Sequence, residues 1–368
     1  MSGVAFFPWV YLEEPLTVGD VRLIPFETVR RPGDLEQARQ GQLDAVLKAY
    51  RSHPQTQRHR ATLLEVGEWR TGMHVDEPTA DRLFRIRTAV VFSALAARSL
   101  FKGHFGYTNT TAYQLVVQRY DPLEPSRFAF LTRRRDGAAS HTWSAERFAF
   151  DRPHQVGARE RFAVDLELLR ALTSPALQPW LHEALLEFNG ANTDSSDTPD
   201  YAELVMMKTA LEWLLQVGDK WQDFARTLRA LLPTQLAADG PLRATWAAKY
   251  GKAPDLIGAW AQEFCTMRNW SAHADPRDEH HFVWGVAQHL AFVATLIPLL
   301  VKRLLSVDGQ YPLLDVDLLR AQRLSRLLVH DPMAHDWESD HPWLDVESDA
   351  RMRALSFALQ EQLVDLSV

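Results

Sequence analysis

A polar break at residues 189–200 divides this chain into two halves with different patterns. The segment NGANTDSSDTPD collects Gly, Asn, Asp, Ser and Pro, the residue types that favour turns and loops. Before it, extended and helical patterns alternate, whereas every periodic stretch after it is helical. The sequence therefore predicts an α+β chain with a mixed α/β domain at 1–190, an all-α bundle at 198–307 and a helical extension at 308–368.

The N-terminal domain is predicted to combine short strands with helices. FFPWVYL, VRLIPFE and ATLLEVGEW are typical of strands, because β-branched and aromatic residues predominate and prolines fall near their ends. Residues 34–53 and 79–101 repeat apolar side chains at helical spacing. We interpret this domain as one that senses a signal or selects a substrate.

Extended runs on both sides of Asp136-Gly137 predict a β-hairpin, because this dipeptide favours a tight turn. Arg133, Arg134 and Arg135 precede that turn. They form either a solvated hairpin tip or a contact for RNA phosphates. The formal net charge of the chain is −7, so any nucleic-acid site must be local.

Four helices are predicted in the second half, at residues 198–218, 221–233, 254–274 and 279–305. The first and third show the clearest apolar stripes, which should face the core of a bundle. The stripe residues are Leu204, Met207, Leu211, Leu214, Leu215, Ile257, Trp260, Phe264 and Met267.

The fourth helix contains an apolar stretch, residues 282–301, that is about as long as a membrane span. Gln288 and His289 lie inside it and Pro298 interrupts it, so a buried core helix is the better interpretation. The chain start lacks the basic region of a secretory signal. We therefore expect a cytoplasmic protein without a membrane partner. The single cysteine, Cys265, excludes an internal disulfide and fits a buried apolar position.

The third helix ends in CTMRNWSAHADP, which brings Arg268, Asn269 and His273 together before Pro276. Asn269 and His273 are four residues apart and share a helix face, while the long side chain of Arg268 can reach the same region. One explanation is structural, because cations complement the carbonyl end of a helix dipole. The other is catalytic, because histidine titrates near neutral pH and arginine binds phosphate oxygens.

The string from Arg268 to His273 resembles the R-x4-6-H signature of the HEPN superfamily, including the polar residue that often follows its arginine. HEPN domains are helical bundles with this motif at the end of the third main helix, as predicted for residues 198–307. The segment MMKTALEWLL also resembles the ALExLL helix of ApeA-like HEPN proteins, which similarly place a mixed domain before the bundle.

The resemblance implies a metal-independent endoribonuclease that acts in abortive defence against phage or as a toxin, cleaving RNA such as tRNA. Its nucleophile would be the 2′-hydroxyl of the RNA, so no metal or other cofactor is expected. His273 would transfer a proton, Arg268 would stabilise charge on the phosphate, and Asn269 would orient either group. The alternative is a HEPN domain without catalysis that binds nucleotides or dimerises.

The family arrangement also implies a homodimer through the helical domain, with two motifs facing each other. The fourth helix offers apolar residues beyond one internal stripe, and we expect these to form the interface. They are Phe282, Trp284, Phe292 and Leu296. The RNA cleaved, the trigger and any phage or antitoxin-type regulator are left open.

Two further side chains near the motif have competing interpretations. Glu212, on a neighbouring helix, could pair with Arg268 or be a solvated helix charge. Trp270 could stack on a base or pack in the core. Histidines elsewhere have structural interpretations, as surface or capping residues at His280 and His281. A zinc-dependent hydrolase would require His330, His335 and His341, whose spacing matches no standard site.

Overall fold

The computed structural model describes residues 2–27, 37–51, 60–97, 110–125, 127–134, 137–144, 150–151, 160–161, 164–174, 177–193, 195, 197–218, 220–232, 247–273, 282–315, 317–318, 321 and 328. The chain forms two compact units. The first comprises Met1–Ala94 and Asn109–Ser174, and the second comprises Leu95–Thr108 and Pro175–Val368. The described part of the first contains strands and helices, and that of the second is dominated by helices, so the chain is α+β.

A seven-stranded antiparallel sheet forms the framework of the first unit. Its order is β3-β4-β6-β1-β7-β8-β9. The strands are β1 (Ser2–Phe7), β3 (Leu16–Val18), β4 (Val21–Glu27), β6 (Arg60–Val66), β7 (Val116–Tyr120), β8 (Arg127–Arg134) and β9 (Gly137–Ser144). Two short parallel pairs accompany it: β2 (Val10–Tyr11) with β11 (Glu160–Arg161), and β5 (Tyr50–Arg51) with β10 (Phe150–Asp151).

The central strand β1 is covered on both faces. Val4, Ala5, Phe6 and Phe7 are all fully buried, and successive side chains of a strand point to opposite faces. The described helices of this unit are α1 (Gln37–Leu47), α2 (Glu77–Ala97, whose last three residues are assigned to the second unit) and α3 (Leu166–Leu172), with a short 3₁₀ turn at Thr110–Tyr113. Apolar residues on both faces of β1 are what a mixed, layered domain requires.

The predicted strands in VRLIPFE and ATLLEVGEW and the hairpin are confirmed, whereas FFPWVYL is divided between the end of β1 and β2, and the first helix is shorter than predicted. Arg134 pairs with Gly137 across the β8–β9 turn, as the Asp136-Gly137 signal indicated. The helix predicted at 34–53 ends at Leu47, because Tyr50 enters strand β5. Its ring stacks on Phe150 with centroids 5.1 Å apart, and burial raises the pKa of its hydroxyl.

Five helices form the described core of the second unit: α4 (Pro179–Ala191), α5 (Asp200–Leu215), α6 (Trp221–Leu231), α7 (Leu256–His273) and α8 (Val286–Val307). Helix α5 is central, since it contacts each of the other four. All the predicted stripe residues of α5 and α7 are buried, and so is Cys265. The periodicity therefore identified the inward faces of these helices correctly.

The division between the units falls before the predicted linker. Helix α4, assigned by the sequence to the mixed domain, belongs to the helical unit because it packs along α5. Its side chains Leu181, Leu185 and Phe188 are buried. The polar segment that suggested a domain boundary is therefore the connection between two packed helices.

Helix α8 is the one described helix long and apolar enough to cross a membrane, over Gln288–Val307 with a mean hydropathy of 1.9. However, 67% of the most apolar part of this stretch is buried inside the protein. Lys302, near its end, forms a buried ion pair with Asp317, with Nζ to Oδ1 at 2.6 Å. The apolar stretch is a core helix, as predicted, and this pair attaches the start of the C-terminal extension to it. The predicted extension beyond Leu328 lies outside the described residues.

Candidate functional site

Helix α7 carries the candidate motif at its C-terminal end. Asp255 precedes the helix and accepts a hydrogen bond from the Gly258 amide at 2.8 Å, which satisfies one of the free N–H groups of the first turn. Arg229, at the end of α6, forms an ion pair with the same carboxylate. These contacts fix the start of a helix whose last two turns contain Arg268, Asn269 and His273.

Arg268 is partly buried and retains much of its donor capacity. Its Nη1 donates to Oδ1 of Asn269 at 3.1 Å, whereas its Nε is buried and has no partner among the described residues. No carboxylate in the described part of the chain lies within ion-pair distance of this guanidinium. A cation held by a neutral amide keeps its full charge for an anionic ligand.

The backbone of His273 forms the last residue of α7, but its side chain lies outside the described residues. The same is true of the side chains of Arg133 and Arg134, while Arg135, His280 and His281 lie outside them altogether. The helix confirms the predicted register, which puts Asn269 and His273 on one face. The structure thus brings Arg268 and Asn269 into contact, and His273 follows one turn after Asn269.

Glu212 does not orient Arg268, and neither interpretation from the sequence holds. Its Oε1 accepts a hydrogen bond from Nζ of Lys208, one turn earlier on α5, at 2.6 Å. Lys208 is buried, and its ammonium also lies over the ring of Phe224. A buried lysine requires a nearby anion, so Glu212 compensates Lys208 instead of Arg268. Asn269 is the side chain that contacts the arginine.

Trp270 has features of both interpretations offered by the sequence, packing in the core and stacking on a base. It is half-buried, and its ring centroid lies 5.0 Å from that of Phe282 at an interplanar angle of 59°. Nζ of Lys249 lies over the Phe282 ring, 5.4 Å from its centroid, and 5.3 Å from the centroid of Tyr250. Partial burial lowers the pKa of Lys249, while the nearby charge of Glu263 acts in the opposite direction.

Glu263 is a second polar centre on α7 that the sequence reasoning missed. Its side chain is fully buried, yet its Oε2 accepts from the Val283 amide at 2.8 Å and its Oε1 from the Trp284 amide at 2.7 Å. The Tyr250 hydroxyl also donates to Oε2, and Nε2 of His289 lies 3.2 Å from Oε1. The only available signal was a glutamate inside the apolar pattern of α7, paired with a histidine inside that of α8.

The Glu263 carboxylate connects the motif helix α7 to the segment that leads into α8. Residues 274–281 join the two and lie outside the described residues, but the chain after them is held at Val283 and Trp284. Glu263 precedes Arg268 by five positions on the same helix. Its hydrogen bonds therefore fix where the chain returns to α7.

Three of the four residues predicted to form the dimer interface, on and just before α8, are not available to a partner. Trp284, Phe292 and Leu296 are buried within the protomer, and Phe282 is half-buried against Trp270. The Trp260 ring accounts for part of this burial, since its centroid lies 4.7 Å from that of Phe292. The apolar residues counted as available for a partner fill the core of the bundle instead.

A metal site built from three or more His, Cys, Asp or Glu side chains does not occur in the part of the chain that the structure describes. His330, His335 and His341, the residues that a zinc hydrolase would use, lie outside that part. Comparison with known proteins finds no matching family model, and no curated protein or solved structure matches either.

Proposed function

We propose that this protein is a HEPN-type, metal-independent endoribonuclease, with its site at the end of α7. The observation that carries the proposal is the arrangement of Arg268, a cation whose contact is an amide and not a carboxylate, on the same terminal turns as His273. The helical bundle around α5 and the resemblance of the motif support the same function. By that resemblance, its cellular role would be abortive defence or toxicity.

The residues present suit cleavage by the RNA's own 2′-hydroxyl. In that reaction the hydroxyl oxygen attacks the adjacent phosphorus, the bond to the 5′-oxygen breaks, and a 2′,3′-cyclic phosphate forms. His273 transfers a proton to or from one of these oxygens. Arg268 stabilises the additional negative charge on the non-bridging oxygens, and Asn269 holds the guanidinium of Arg268 in position. The nucleophile belongs to the substrate, so the proposed steps require no metal.

Purified protein incubated with total RNA in excess EDTA is expected to cleave it and to leave cyclic phosphate or phosphate at the 3′ ends. DNA of the same sequence should be spared, because it lacks the 2′-hydroxyl. End-specific enzymatic labelling of the fragments measures this. Strict dependence on an added divalent ion would contradict the mechanism. Nucleotide binding with no cleavage would instead favour the non-catalytic scaffold.

We also propose that the active form is a homodimer through the helical unit, since one histidine alone cannot act at once as the base and the acid of the reaction. Mass measurement in solution at assay concentration should give twice 42.0 kDa. Mixing Arg268→Ala with His273→Ala protein tests whether a composite site uses one residue from each chain. A fully active monomer would exclude the shared site while leaving cleavage itself intact.

A further inference from the structure

An ammonium group beside the motif has no part in the reaction described above. Lys249 lies just before α7, and 34% of its side chain is exposed. Its Nζ contacts the rings of Tyr250 and Phe282. Phe282 in turn contacts Trp270, which lies inside the motif and three residues before His273. Residues three apart on a helix are neighbours, so Trp270 lies on the side of α7 that carries His273. Phe282 and Lys249 are linked to that side through Trp270.

Lys249 forms a long ion pair with a carboxylate that has other hydrogen-bond partners. The nearest described carboxylate oxygen, Oε2 of Glu263, is 3.9 Å from Nζ, which is longer than a hydrogen bond. Glu263 is fully buried and already accepts hydrogen bonds from the Val283 and Trp284 amides. No acceptor in the described part of the chain is within hydrogen-bond distance of this amine, so its N–H groups remain available to a ligand.

A lysine beside two aromatic rings has the composition of a nucleotide-binding surface. Ammonium groups bind backbone phosphates, and aromatic rings stack on bases of any identity. The rings also restrict where the amine can lie, because the cation–ring contact favours positions over their faces. On a chain with a net charge of −7, a fixed cation at this point can direct RNA to the end of α7.

We propose that Lys249, together with Phe282 and Trp270, forms a subsite for RNA: the amine binds a phosphate next to the one that is cleaved, and the aromatic pair contacts an adjacent base. This inference rests on the proposed function, because it uses the same substrate at the same helix end. Its distinctive element is a phosphate contact that belongs to binding and not to the chemical step.

The test is the salt dependence of single-stranded RNA binding, measured in a His273→Ala background so that the RNA stays intact. Lys249→Gln is expected to weaken binding at low salt. It should also reduce the magnitude of the slope of the log association constant against log salt concentration by about 0.7, the contribution of one phosphate contact. Lys249→Arg should retain the slope. Lys252→Gln is the matched control, since it removes an equal charge from an exposed position three residues away and should leave the slope unchanged.

An unchanged slope in Lys249→Gln, with or without a lower melting temperature, would overturn the proposal and make Lys249 only a counter-charge to Glu263. The outcome of this binding experiment can be distinguished from the outcome of the cleavage experiment. Cleavage by the otherwise wild-type protein, together with an unchanged binding slope in Lys249→Gln, would sustain the reaction and refute the subsite. A Lys249-dependent slope in a protein that cleaves nothing would sustain the subsite and refute the reaction.

Discussion

Replacing Arg268 by alanine, or His273 by alanine, is expected to reduce RNA cleavage by about 10²-fold or more each. Arg268 would lose the charge that stabilises the transition state, and His273 would lose the proton-transferring group. Because both act on the chemical step, we expect the loss in kcat at saturating RNA and a smaller change in KM. Single-turnover cleavage of a labelled RNA measures it directly.

Arg226→Ala is the matched control for the arginine variant. It removes an exposed arginine of α6, in the same helical unit, whose contact is an ion pair with Asp223 on the same helix. Activity should be unchanged, because surface pairs of this kind contribute little. Arg268→Lys tests whether the planar guanidinium is needed, since lysine keeps the positive charge but lacks the pair of parallel N–H donors. If the alanine variants melt early and their soluble fraction keeps full activity, the motif is structural.

Local periodicity was sufficient to predict several of the strands and helices and the buried faces of two helices. Apolar spacing identified the buried sides of α5 and α7, and Asp136-Gly137 identified the hairpin, because each depends on side chains close in sequence. The end of the first helix was missed, since Tyr50 is placed by rings on other strands. The assignment of α4 failed for the same reason, because its partner was not visible in its own pattern.

The candidate site shows the same division between local and tertiary information. The motif and its helix could be recognised from six consecutive residues, and the contact between Arg268 and Asn269 follows from adjacency. The partner of Glu212 had a local signal that the sequence analysis did not use, since Lys208 lies four residues earlier on the same helix; only the burial of Lys208 required the tertiary structure. The dimer surface was misjudged because the number of apolar residues on α8 does not show how many neighbours cover them.

Replacing Glu263 by alanine is expected to destabilise the helical unit by about 3–5 kcal/mol, the usual cost of removing one member of a buried charged or hydrogen-bonded network. The amides of Val283 and Trp284 would lose their acceptors. His289 would be left without a partner at either ring nitrogen among the described residues, since its Nδ1 already has none. Glu263→Gln, which preserves the shape and one acceptor oxygen, should cost less than the alanine variant, although its amide nitrogen would face an N–H donor that it cannot accept from.

Hydrogen exchange at the Val283 and Trp284 amides measures this effect locally, which suits a chain whose two units need not unfold together. Both amides should exchange slowly in the wild type and much faster in the alanine variant, whereas Glu183→Ala, at an exposed position of α4, should leave them protected. Unchanged protection would show that packing of Trp284, and not Glu263, holds the chain. If protection is lost while the rest of α7 stays ordered, a fall in RNA cleavage would identify Glu263 as the residue that positions the motif.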